Sequence, residues 1–107
     1  VDLERIAACA VRVLDYTAAL DFDGFVADAL RYDATLRNLE IMGEAAKRVP
    51  EDVRARFPSV PWRDLAGFRD RLAHGYDALD DRVVWDAVRS GVPATLAAVR
   101  QALAALG

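Results

Sequence analysis

Apolar residues recur at three- and four-residue steps through most of this chain, the spacing of an amphipathic helix rather than of a strand. In the first segment Leu3, Ile6, Ala7, Ala10, Val13 and Leu14 share one side, while Glu4, Arg5, Arg12 and Asp15 fall elsewhere on the wheel. Asp2 stands where it can cap that helix. The pattern breaks around Leu20 to Gly24, where Asp21 and Asp23 are cap candidates and Gly24 weakens a continuous helix. From about Ala27 to Val49, one face carries Leu36, Leu39, Met42, Gly43, Ala46 and Val49. Gly43 and Ala46 there are small enough to let another helix approach closely, which counts towards dimerisation. Pro50 ends that segment and suits the first turn of a short helix, Glu51 to Phe57. Pro58, Ser59 and Pro61 make the next break, and Ser59 or its neighbour can start a helix from Trp62 to about Ala73, with Gly75 as its stop. Asp80 or Asp81 opens the last segment, Arg82 to Leu106, which should kink or break near Gly91–Pro93.

No stretch alternates as a strand does, and no internal repeat or low-complexity tract is present. The expected fold is therefore all-α: a bundle of four main helices plus one or two short ones, forming a single domain over residues 1–107. With 54% hydrophobic residues the chain can bury a real core without disulfides or a structural metal. Its one cysteine, Cys9, sits among Ala7, Ala8, Ala10 and Val11 and reads as a small buried filler, which excludes a disulfide scaffold. No apolar run approaches the ~18 residues a membrane span needs. The first residues carry charge from position 2 and lack a cleavage site, so no signal peptide is expected, and the chain reads as cytoplasmic.

A net charge of −3 argues against general coating of nucleic acid, but the charge is unevenly spread. Between Lys47 and Arg71 seven basic residues face four acidic ones, leaving that stretch at +3. A confined phosphate site on an otherwise acidic protein fits this distribution, and so does a plain solvated helix face.

Candidate chemistry is sparse. There is no phosphate-binding glycine loop, nucleophile elbow or set of metal ligands at coordinating spacing, so no metal and no cofactor are expected. The one side chain whose ordinary titration lies near neutral pH is His74, the sole histidine, within the string FRDRLAHGYD. Arg69 and Arg71 precede it and Tyr76 follows. On an ideal helix Arg69 and His74 stand about 140° apart, so they converge only if the helix ends or distorts near His74, or if a second chain completes the site. A histidine in a last helical turn also has an ordinary structural role, as a favourable partner of the negative dipole end.

The string RDRLAHGY resembles the Arg-x4-His-x-Tyr signature of the HepT family, the toxin branch of the HEPN superfamily. It falls on Arg69, then Asp70, Arg71, Leu72 and Ala73, then His74, Gly75 and Tyr76. RNLEIMGEAAKRVP, from Arg37 to Pro50, looks like the central helix of that family, and FPSVPWRDLAGFRDRLAH carries a Pro-Trp lead into the motif. VVWDAV and the later Pro93 look like its closing helix. The family commonly has Asn after the arginine where Asp70 stands here, and HEPN proteins also accept Asp at that place.

The resemblance implies an HEPN-like up-and-down bundle and the toxin of a type VII toxin–antitoxin pair. Such toxins are described as homodimeric ribonucleases whose motif lines a cleft between protomers. Their partner, MntA, is a nucleotidyltransferase that moves AMP from ATP to the motif tyrosine and silences the toxin. Carried across, Arg69 and His74 would be catalytic, Asp70 and Arg71 supporting, and Tyr76 the adenylylated residue; the substrate would be RNA. Metal-independent RNA cleavage needs a base for the ribose 2′-OH, an acid for the leaving oxygen and a cation for the phosphorane, which His and Arg can supply. One histidine per chain then calls for a pair of His74 side chains across a dimer axis. Two other readings stay open from sequence. One is a non-catalytic helical partner, or nucleotide-binding subunit, of a nucleotidyltransferase; the other is a purely structural bundle in which Arg69 and His74 only cap their own helix.

Overall fold

A computed structural model of the chain describes residues 1–74 and 79–107. Among them the architecture is helical throughout: α1 (Asp2–Thr17), α2 (Phe22–Ala27), α3 (Ala29–Arg48), α4 (Glu51–Arg56), α5 (Trp62–Ala73), α6 (Asp81–Asp86) and α7 (Val92–Leu106), with a π-helical turn, Ala87–Gly91, joining the last two. The run from α6 through the π turn to α7 is continuous, so the bundle has four long helical units. The short α2 and α4 lie between them. Helix α3 is the centre: it packs on α1 along one side and on α5 along another, and α1 also packs on α7.

The face read from sequence on α3 is the buried one. Leu36, Leu39, Met42, Gly43, Ala46 and Val49 are all buried, as are Leu3, Ile6, Cys9, Ala10 and Val13 of α1. All but Gly43 and Val49 join Phe25, Val84, Trp85, Val88, Leu96 and Val99 in one apolar cluster. Phe25 is fully enclosed, stacked between Tyr32 and Trp85 at centroid distances of 4.9 and 5.1 Å.

The local signals at the helix ends resolve differently from one another. Asp2 is not a cap: α1 begins on it, and its carboxylate accepts from Nε of Arg48 at 3.3 Å, tying the start of α1 to the end of α3. Asp21 caps α2 through the Gly24 N–H at 2.7 Å, and Asp80 caps α6 through Arg82. Asp28 interrupts what reads in sequence as one helix from Ala27, and caps α3 through the Arg31 N–H at 3.0 Å. Ser59 does not start α5. That role falls to Pro61, and the indole N–H of Trp62 donates to the carbonyls of Arg54 and Phe57, fastening the first residue of α5 to the end of α4.

The interruption expected near Gly91–Pro93 takes the form of the π turn. Pro93 has no N–H to give to the carbonyl four residues back, and its ring would crowd that carbonyl in an α-helix. The wider turn, with Val92 N–H donating to Ala87 O, relieves the conflict without breaking the helix.

Gly43 corrects one expectation. The helix its small size admits is α5 of the same chain, not a helix of a second copy. A Cβ built on Gly43 would lie 2.2 Å from Cβ of Arg69 and 2.6 Å from the carbonyl oxygen of Leu65. Ala46, one turn on, is likewise buried inside the chain. The two small residues therefore give no argument for dimerisation, and their consequence is that α5 sits unusually close to α3 at Arg69.

Candidate active site

Arg69 lies in the last two turns of α5 with its stem against Gly43, and this contact fixes where the guanidinium can be. Its Nη2 stands 3.8 Å from Oε1 of Glu44 and its Nη1 3.6 Å from Oδ1 of Asp70. Both distances exceed a good hydrogen bond, so the two carboxylates hold the cation electrostatically while its donors stay uncommitted. Its Nε is buried and has no hydrogen-bond partner among the described residues. A planar cation fixed in place with free donors is what a phosphate oxygen requires.

Asp70 is the hub of the arrangement. Its Oδ1 accepts from Nζ of Lys47, the only lysine in the chain, at 2.7 Å, which bridges α5 to α3. The hydrogen bond from Lys47, aided by the Lys47 and Arg69 charges, holds its carboxyl below the usual carboxylate range. The backbone of Asp70 serves the other side of the site. Its carbonyl accepts the His74 N–H at 3.2 Å, and the same oxygen lies 2.6 Å from Nδ1 of His74.

That contact settles the tautomer of the neutral ring. A carbonyl only accepts, so Nδ1 must carry hydrogen and Nε2 is the nitrogen left for chemistry. Helix α5 ends at Ala73, and His74 closes it at φ −97° and ψ 1°. The helix thus ends next to His74, one of the two conditions named from sequence for convergence with Arg69. The two are connected through Asp70, whose side chain approaches Arg69 and whose carbonyl orients His74. His74 itself is exposed. The structural role considered from sequence is present at one nitrogen, since Nδ1 caps its own helix. It leaves Nε2 unassigned.

Arg71 is exposed on α5 and joins no hydrogen bond or ion pair with this cluster among the described residues. Tyr76, the proposed modification site, lies outside the described residues, as does Gly75, the expected helix stop. Sequence reading missed two members of the cluster. Glu44 carries no signal of its own, and Lys47 counted only towards a basic stretch; one turn separates them on α3, on the side that α5 meets. Among the described residues no three His, Cys, Asp or Glu side chains are grouped to hold a metal ion. No helix among them is long and apolar enough to cross a membrane.

The profile of a family described as "HepT-like: Ribonuclease HepT-like" matches residues 6–102. Over 91 residues the chain is 38% identical to a protein of Thermococcus cleftensis named "Probable ribonuclease HepT", a match covering 85% of this chain and 83% of the relative. It is 40% identical over 81 residues to "Putative RNase MJ0127" of Methanocaldococcus jannaschii, covering 76% of this chain and 67% of that protein. With "Putative RNase TTE0752" of Caldanaerobacter subterraneus it shares 34% identity over 91 residues, 85% of this chain and 81% of the relative. No solved structure matches the chain significantly.

Proposed function

Since this chain belongs to the HepT-like ribonuclease family, we propose that it is an endoribonuclease whose catalytic residues are Arg69 and His74. The observation that carries the assignment is the link through Asp70: the Arg69 guanidinium near its carboxylate keeps uncommitted donors, and the His74 ring held at its carbonyl leaves Nε2 free. In this reading a base removes the proton of the ribose 2′-OH as its oxygen attacks the adjacent phosphorus. The P–O5′ bond breaks, an acid protonates the departing 5′-oxygen, and the upstream fragment keeps a 2′,3′-cyclic phosphate. Arg69 holds the non-bridging oxygens as charge builds on the phosphorane. Asp70 positions both groups, and Arg71 contacts an outer phosphate.

One histidine cannot be base and acid in the same instant. We assign the two roles to His74 of each protomer of a homodimer, with the two-fold axis passing beside the site. The chain is then the toxin of a type VII pair, and its partner is an MntA-like nucleotidyltransferase. In the silencing reaction the Tyr76 oxygen attacks the α-phosphorus of ATP and loses its proton, and pyrophosphate departs. The product phosphodiester carries a charge of about −1 and competes with RNA for Arg69.

Two experiments test this reading. Purified chain should cut single-stranded RNA in excess EDTA at an undiminished rate and leave cyclic phosphate on the upstream fragments. Loss of cutting on chelation, or upstream fragments that end in a 3′-hydroxyl, contradicts the mechanism. Tyr76→Phe should cut RNA as the parent does but escape silencing by the cognate nucleotidyltransferase and ATP. An AMP-sized mass increment should appear on the Tyr76 peptide of the parent alone. Silencing of the Phe variant as readily as the parent rejects the switch. A chain that binds the nucleotidyltransferase and cuts no RNA instead identifies the non-catalytic partner.

A further inference from the structure

A second cationic feature adjoins Glu44, the residue that stands beside Arg69. Helices α1 and α3 run antiparallel, as the contacts from Arg48 to Asp2 and from Arg31 to the Tyr16 carbonyl establish. Arg5 and Arg12 are two turns apart on α1; Arg37 and Arg48 are three turns apart on α3, with Glu44 between them. The four guanidinium groups border one open groove of about 320 Å³, floored by Cys9 and Ile41. All four arginines are exposed.

Their state of pairing matters. Arg37 holds Glu40 at 2.6 Å and Arg48 holds Asp2 at 3.3 Å, but Arg5 and Arg12 have no ion-pair partner among the described residues. Glu44 is the single acid among the lining side chains, and its Oε1 stands 3.8 Å from Nη2 of Arg69, which itself does not line the groove. A chain of net charge −3 has thus placed four cations around one groove that shares Glu44 with the candidate active site.

We propose that this groove is a track for the sugar–phosphate backbone of single-stranded RNA, leading it past Glu44 to Arg69; the direction of travel rests on the ribonuclease reading, whereas the binding does not. The spacing selects a polyanion. At 1.5 Å per residue, Arg5 and Arg12 are about 10 Å apart along α1, and Arg37 and Arg48 about 16 Å apart along α3. No single phosphate group spans either pair, so successive phosphates of one strand are the fitting ligand. The floor offers Cys9 and an aliphatic side chain but no aromatic surface for stacking, so recognition is of the backbone and indifferent to base identity. Burial keeps the Cys9 thiol above its ordinary pKa despite the nearby Arg12 and Arg5, so the floor adds no negative charge near neutral pH.

The test uses the full chain, fluorescent oligouridylate and a salt series. Arg5→Gln/Arg12→Gln should weaken binding and make the slope of log K against log salt shallower by about 1.4, since each lost phosphate contact removes about 0.7 for a single strand. Arg5→Lys/Arg12→Lys keeps the charges and should keep most of the slope, which separates charge from any folding defect. Arg100→Gln, on the exposed side of α7, should change neither. Cleavage of the long strand should fall in the double Gln variant while cleavage of a dinucleotide stays at the parent rate. An unchanged slope in the double Gln variant overturns the track. So does a variant that loses binding of ATP or of an acidic protein partner but keeps its RNA slope. If the parent binds oligouridylate through these arginines and cuts nothing, the track stands and the ribonuclease reading falls.

Discussion

Replacing His74 with Ala should lower the rate of RNA cleavage by about two to four powers of ten, the usual contribution of one general acid–base group. The fold should survive, because the ring is exposed and, among the described residues, its hydrogen bond is to its own helix end. A homodimer with one His74 per chain shares a single histidine pair, so mixed dimers of parent and variant should also lose activity. Arg69 predicts a different pattern. Arg69→Lys keeps a charge but loses the planar fork, and should lose about 10²–10³ in kcat if the guanidinium bridges two phosphate oxygens in the transition state. Glu44 and Asp70 stand on either side of that cation, so the lysine should remain anchored and the protein folded. The double variant should be scarcely worse than the worse single one, as for groups that act as a unit. Single-turnover cleavage reads all three. An undiminished rate in that variant sinks the assignment.

The sequence carried the positions of these residues more reliably than their contacts. Helical spacing located the buried faces of α1 and α3 and the span of α5, because each of those faces repeats over several turns. Pro93 marked the place of the π turn, since a missing N–H has a local effect wherever it falls. Asp28 escaped notice because apolar spacing runs on through it, whereas its backbone leaves the helix at φ −98° and ψ 87° and its carboxylate accepts the Arg31 N–H. Lys47 and Asp70 are 23 residues apart, and no local rule pairs them. The orientation of His74 depends on a carbonyl at the end of α5, a geometry that the motif spacing permits without specifying. Gly43 was legible as a point of close approach, but small size does not name the partner helix.

That partner gives the second prediction. Gly43→Ala places a methyl group where Cβ of Arg69 and the carbonyl oxygen of Leu65 already stand, at 2.2 and 2.6 Å. Neither obstacle is the flexible end of a side chain, so α5 itself must shift away from α3. Overpacking of this kind typically costs about 1–3 kcal/mol. The better helix propensity of Ala returns at most about 1 kcal/mol of that. The displacement falls on Arg69, and through Asp70 on His74, and a misplacement of about 1 Å at a catalytic group can lower a rate by about 10²-fold. Gly67→Ala, on the same helix with nothing within 4 Å of the added methyl, is the matched control. It should stabilise the protein by about 0.5–1 kcal/mol and leave cleavage unchanged. Urea unfolding and single-turnover rates on the two variants separate the outcomes. If Gly43→Ala folds as stably as the parent and cuts as fast, the close contact between α3 and α5 does not position the site. If it loses about 10²-fold in rate while remaining folded, Gly43 acts through the placement of Arg69 rather than through stability alone.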